Sequence, residues 1–184
     1  EKAIADFKRV LELSPNNRNA YDDLVKIYEQ GGDFAKAVDY MQKLIKQIPP
    51  QSRDYPPAAL LLAILEGRLA LKKGDAAKAM SAMQRALTLD PNNAFANYSV
   101  GVIDQQQGRW LEAEKAFDKV LQVMPQNLDA RVRLAGVYLQ INQIPRAVEQ
   151  LRLLADKAGQ TPQGQQAKQL LDRIEASVRQ PGAA

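Results

Sequence analysis

AAKAMSAMQRALTLDPNNAFAN, Ala76 to Asn97, is echoed by EAEKAFDKVLQVMPQNLDAR, Glu112 to Arg131, and the prolines that align the two, Pro91 and Pro125, lie 34 residues apart. A unit of that length holds two amphipathic helices, which cannot bury their apolar faces alone. Copies must therefore stack, each touching only its neighbours. Pro15 and Pro49 keep the same spacing, while Pro49 to Pro91 spans 42, so one junction carries extra residues without losing phase.

Three further sets of residues fall in step. Gly32, Gly74, Gly108 and Asn142 mark the turn inside each unit, because they tolerate the left-handed backbone that ends a helix. Ala3, Ala37, Ala79, Ala113 and Ala147 follow early in the second helix, and four residues later come Phe7, Met41, Met83, Phe117 and Leu151. A small side chain lets helices approach, and the large one on the same face fills the space between units. Asn17, Asn93 and Asn127 sit two residues after a junction proline, where an Asn side chain accepts from the free N–H groups of the next helix. In the first helices Tyr21, Leu24 and Tyr28 correspond to Asn97, Val100 and Asp104, and to Arg131, Leu134 and Tyr138.

Together with the small residues Gly67, Gly101 and Ala135 in the first helices, these positions resemble the tetratricopeptide repeat, a helix–turn–helix family with a closing proline. The resemblance covers residues 1 to about 159. It departs from the pattern at Val25, at Glu66, and at Gly159, which stands where the last closing proline would fall. The fold it implies is all-α, an α-solenoid of stacked hairpins winding into a right-handed superhelix. One domain is expected: a half repeat at 1–17, repeats at 18–51, 60–93, 94–127 and 128–159, an insertion at 52–59, and a capping helix at 161–180 whose apolar face carries Ala167, Leu170, Leu171, Ile174 and Val178. Pro181 to Ala184 should fray. Glu1 falls inside a second helix, so Ile4, Phe7 and Leu11 are expected to lack their intrarepeat partner. Residues upstream, or a second copy of the chain, would cover them.

Composition narrows the chemistry. The 184 residues include no histidine and no cysteine, which removes the common general bases, thiol nucleophiles and most transition-metal ligand sets. The acidic neighbours Asp22/Asp23 and Glu112/Glu114 point to different sides of a helix. No enzyme activity, cofactor or metal is expected. Net charge is +4, but the basic residues are dispersed, with Arg68, Lys72 and Lys73 the nearest approach to a cluster, so no nucleic acid partner is expected. The longest apolar run, Ala58 to Leu65, falls short of the roughly 20 residues a membrane-spanning helix needs, so no membrane insertion is expected either. Absent cysteines fit a reducing cytosol or a disulfide-free bacterial periplasm. The glutamine content leans bacterial, and analogy with envelope members of the family leans periplasmic.

In such a stack the first helices line a concave face. The phase places Asn19, Asp22, Lys26 and Glu29 there in the second unit, then Leu61, Ile64, Arg68 and Leu71, then Phe95, Tyr98, Val102 and Gln105, and finally Asp129, Val132, Arg133 and Val137. The partner-binding residues expected from this are Leu61, Ile64, Arg68, Lys72, Phe95, Tyr98, Val102, Val132, Arg133 and Val137. An apolar strip bordered by Arg68, Lys72 and Arg133 suits a peptide or protein segment that is amphipathic with acidic flanks. The grip on a C-terminal carboxylate found in cochaperone members of the family is not expected, because the corresponding positions carry Asp22, Lys26, Leu65, Phe95 and Ser99. The function implied is a non-catalytic scaffold for protein binding within a bacterial assembly. A regulatory appendage of a larger enzyme and a self-assembling structural protein are the alternatives. The junction Pro50 to Pro57 (PQSRDYPP) is expected to form a loop, with helix resuming at Ala58 and Tyr55 its one contact residue. Trp110 is expected to pack against a neighbouring turn.

Overall fold

The computed structural model describes residues 2–179 and the side chains of 2–176. The expected fraying of Pro181–Ala184 and the place of the Val178 side chain lie outside these. The described residues form ten α-helices and no strand, grouped in two compact units, Glu1–Pro91 and Asn92–Ala184. In the first unit α1 (Lys2–Leu13), α2 (Arg18–Gln30), α3 (Phe34–Ile45), α4 (Tyr55–Lys72) and α5 (Ala76–Leu89) each pack on the next. In the second, α6 (Ala94–Gln106), α7 (Trp110–Val123), α8 (Leu128–Gln140) and α9 (Ile144–Ala158) do the same, and α10 (Pro162–Arg179) lies against both α9 and α8.

The repeat punctuation behaves as its chemistry requires. Gly32, Gly74 and Gly108 have φ of 69°, 72° and 70°, and Asn142, the non-glycine that best tolerates that region, has 56°. Asn17, Asn93 and Asn127 cap α2, α6 and α8, their Oδ1 atoms accepting from the backbone N–H of Ala20, Ala96 and Ala130 at 3.0, 3.0 and 2.9 Å. Two second helices have caps as well. Asp33 and Asp75 accept from the N–H of Lys36 and Lys78, and the same carboxylates pair with those lysine ammonium groups at 2.8 Å. The lysine contacts hold both carboxyls below the usual aspartate range. Arg109 and Gln143 occupy the matching positions of α7 and α9 and make no side-chain cap.

Packing follows the small-then-large pattern. Ala37, Ala79, Ala113 and Ala147 are fully buried, as are Met83 and Phe117, with Met41 and Leu151 nearly so. The partner of the large residue is the small residue of the first helix in the same hairpin. A Cβ at Gly67 would stand 2.0 Å from Met83 Cε, and one at Gly101 would stand 2.8 Å from Phe117 Cε1. At Gly101 glycine is a condition of close helix approach, because the ring cannot give way, whereas at Gly67 the flexible Met83 can. Ile4, Phe7 and Leu11 of α1 are half-buried against the core of the first unit, around Leu24, Val25, Met41 and Leu65, while Leu13 is 74% exposed. Trp110 packs on the second unit's core, built around Phe117, Val120, Leu134 and Tyr138. Ala167, Leu170, Leu171 and Ile174 bring α10 onto Leu151 and Leu154.

The junction departs from expectation. Turns occupy 50–54, but α4 is already helical at Tyr55, with Pro56 and Pro57 inside its first turn. The first turn of a helix has no use for its N–H groups, and proline's fixed φ suits it, so prolines expected to resist helix instead start one. Tyr55 leans half-buried on the core of the first unit and is not a loop-tip contact residue.

Candidate functional site

The first-helix faces of the two units differ in how their charges are used. In the first unit Arg68 and Glu29 form an ion pair at 2.6 Å linking α4 to α2, and the Arg68 guanidinium lies 4.4 Å from the centroid of the Phe34 ring. Lys72 donates to the carbonyl oxygen of Gly32 at 2.8 Å and also faces Phe34. Both cations therefore tie α4 to the α2–α3 turn. Leu61 leans on the core and Ile64 is half-buried. Asp22 is paired with Lys26 one turn along α2.

In the second unit, α6 and α8 bring Tyr98 and Arg133 together. Arg133 Nε donates to the Tyr98 hydroxyl at 2.8 Å, and its Nη1 donates to Gln105 Oε1 at 3.0 Å. The guanidinium carbon lies 5.5 Å from the centre of the Tyr98 ring, within cation–π range, and the ring meets Phe117 edge-on at 5.8 Å. Core packing thus fixes the tyrosine, and the tyrosine fixes the arginine. Among the described residues no carboxylate pairs with Arg133.

Two adjoining clefts open around this pair. One, of about 430 Å³, is lined by Tyr98 and Gln105 of α6, by Asp129, Val132, Arg133 and Gly136 of α8, and by Gln163 at the start of α10. The other, of about 290 Å³, shares Tyr98 and Asp129 and adds Phe95 and Met124. Phe95 and Met124, side by side in the lining of this second cleft, are 41% and 49% exposed. Val102 and Val132 are half-buried beneath this surface, each against one of the two cores of the unit.

Val137 does not belong to the surface. It has no exposure at all, because it follows Leu134 by three residues and precedes Tyr138 by one, on the helix face that makes the core. Its counterpart one period earlier, Ile103, is equally enclosed. Gly136 and Gln163 were not legible as site residues. Gly136 is hidden beside the small repeat position Ala135, and Gln163 lies on a helix outside the repeat.

Elsewhere, the acidic residue Glu114 pairs with Arg146 of α9, which covers the Tyr138 ring at 4.2 Å. Burial is the main reason the Tyr138 hydroxyl is pushed up to about 12, and burial with the nearby Glu114 raises the Asp118 carboxyl. Among the described residues no group of histidine, cysteine, aspartate or glutamate side chains could hold a metal ion, and no helix is long and apolar enough to cross a membrane.

Comparison with known proteins agrees with this architecture. Tetratricopeptide repeat models match residues 1–65 and 105–171, and another matches 63–93. The chain belongs to the tetratricopeptide repeat family. Among relatives, it is 27% identical over 134 residues to cellulose synthase operon protein C of Pseudomonas fluorescens, covering 71% of this chain and 10% of that one. It is 29% identical over 122 residues to the cytochrome c-type biogenesis protein CycH of Rhizobium meliloti, covering 66% and 31%. The chain thus spans about a tenth to a third of the length of these relatives. Similar solved tetratricopeptide structures are PilF of Pseudomonas aeruginosa, with a TM-score of 0.71 at 13% identity over 89% of this chain and 71% of that one, and YrrB, described as having an unusual peptide-binding site, with 0.65 at 22% over 92% and 83%. At these identities the likeness is one of fold.

Proposed function

We propose that this chain is a non-catalytic scaffold that binds a partner protein or peptide on the first-helix surface of its second unit, between α6 and α8. The observation that carries the reading is Arg133. It is held against Tyr98 at a cleft wall, with no carboxylate paired to it among the described residues, whereas Arg68 and Lys72 of the first unit are engaged within the chain. A guanidinium fixed by neutral partners, beside exposed Phe95 and Met124, offers charge and apolar area together, which favours an amphipathic segment with acidic flanks. The relatives' names add a setting. Cellulose synthase operon protein C and the cytochrome c-type biogenesis protein CycH are named for bacterial cellulose synthesis and cytochrome c biogenesis, which favours a bacterial assembly, and an envelope setting is our preferred context.

The test is affinity capture from soluble and envelope fractions with wild type and a folded Tyr98→Ala, Arg133→Glu double variant. A protein retained by wild type and lost with the variant supports the surface. Equal recovery moves binding elsewhere. A second reading, self-association through α1, is favoured by one observation, the exposure of Val10 and Leu13 on that helix. Sedimentation of wild type and Leu13→Asp across a concentration series decides it, since a monomer at every concentration ends that reading.

A further inference from the structure

The mid-helix glycines are not alike. At Gly101 a methyl would strike the Phe117 ring, at Gly67 it would displace the terminal methyl of Met83, and at Gly164, in the first turn of α10, it would strike the carbonyl of Gly159 at 2.7 Å. Gly136 sits in the interior of α8, where glycine is a poor helix former, yet the nearest atom to a Cβ there is Gln105 Nε2 at 3.9 Å, an ordinary contact. Its φ is not positive, so neither packing nor backbone conformation calls for it. What the missing side chain does is leave open the floor of the 430 Å³ cleft beneath Tyr98 and Arg133.

Besides Asp129, which also lines the cleft, three groups around that floor offer hydrogens. The Tyr98 oxygen accepts from Arg133 Nε, so the hydroxyl hydrogen is available to donate. Arg133 Nη1 is used by Gln105 Oε1, which leaves Nη2 as a donor and turns the Gln105 amide N–H groups toward Gly136. Three donors, one of them charged, converge on open space. The complementary group is a carboxylate, which accepts several such bonds at once.

We propose that Gly136 is the floor of a subsite for an aspartate or glutamate side chain within a bound peptide segment, held by Arg133, Tyr98 and Gln105. A bulky apolar residue of the same segment occupies the adjoining cleft beside Phe95 and Met124. Asp129, which lines both clefts, disfavours a second acidic residue between them. This rests on the scaffold reading above and adds the chemistry of the ligand.

The experiment selects random dodecapeptides, displayed with neither terminus free, on the wild-type chain, then measures the enriched sequences as acetylated and amidated synthetic peptides. The expected result is an acidic residue whose exchange for its amide weakens binding about tenfold or more, as do Arg133→Gln and Gly136→Leu. The acid exchange should have no further effect once Arg133 is replaced. Gly136→Ala should raise Tm by about 2–4 °C. Peptides that lose affinity on Tyr98→Ala but bind Gly136→Leu and Arg133→Gln unchanged overturn the subsite and leave the scaffold surface standing. Failure to enrich any peptide, or enrichment indifferent to Tyr98→Ala as well, overturns both. A lower Tm for Gly136→Ala shows that the glycine serves packing and removes the premise.

Discussion

Replacing Gly101 and Gly67 by alanine separates two effects that usually travel together. Each exchange adds a better helix former, a gain of roughly 1 kcal/mol. Each also drives a methyl into a neighbour, but the neighbours differ. At Gly67 the nearest atom, 2.0 Å away, is the terminal methyl of Met83, which can rotate aside on a flexible side chain. At Gly101 the methyl meets Phe117 Cε1 at 2.8 Å and Cδ1 and Cζ at 3.0 Å, three atoms of a rigid ring with no exposed surface. Overpacking of that kind costs about 1–3 kcal/mol. Gly67→Ala should therefore be near neutral and Gly101→Ala destabilised by up to about 2 kcal/mol. Urea titration followed by circular dichroism reads both. Fluorescence of Trp110, the sole tryptophan, reads the second unit separately. Phe117→Leu should be better tolerated in the Gly101→Ala background than alone, with a coupling of about 1 kcal/mol. A Gly101→Ala chain as stable as Gly67→Ala would refute the account of hairpin packing.

Other outcomes follow from single contacts. Asn127→Ala removes the cap of α8 and should cost about 1 kcal/mol, seen as an earlier Trp110 unfolding transition. Arg68→Gln breaks the half-buried pair with Glu29, so it should lower the stability of the first unit modestly and leave partner capture unchanged; lost capture would place the site on that unit. Tyr138 keeps its proton up to about pH 12 when folded, against about 10 unfolded, so the stability it contributes is whole below pH 10 and lost as pH rises toward 12. Denaturation across that interval should therefore have a shallower pH dependence in Tyr138→Phe, and an identical slope would show that the hydroxyl ionises normally.

What could be read from the chain was whatever the period repeats. The helix-capping asparagines, the left-handed turns and the alanine pairs each occur several times in phase, so chance agreement is small and each has one physical meaning. Asp33 and Asp75 escaped notice because Arg109 and Gln143 replace them in the later copies. The start of α4 was hidden by prolines whose effect depends on whether they enter a helix or interrupt one. Val137 misled because a first helix packed on two sides leaves a much narrower open face than a one-sided amphipathic pattern implies. The pairing of Arg68 with Glu29 joins residues 39 apart, a separation outside the repeat period, and only packing shows it.

Site-specific photocrosslinking tests the central claim most directly. A benzophenone amino acid is placed at Phe95, an exposed aromatic at the cleft, and in a separate chain at Leu111, an exposed apolar residue of α7 outside both clefts. Irradiation in cells expressing the protein should give a discrete protein adduct from Phe95 that disappears with Arg133→Glu, and none from Leu111. An adduct from Leu111 alone, or one from Phe95 indifferent to Arg133, would contradict the assignment of the binding surface to α6 and α8.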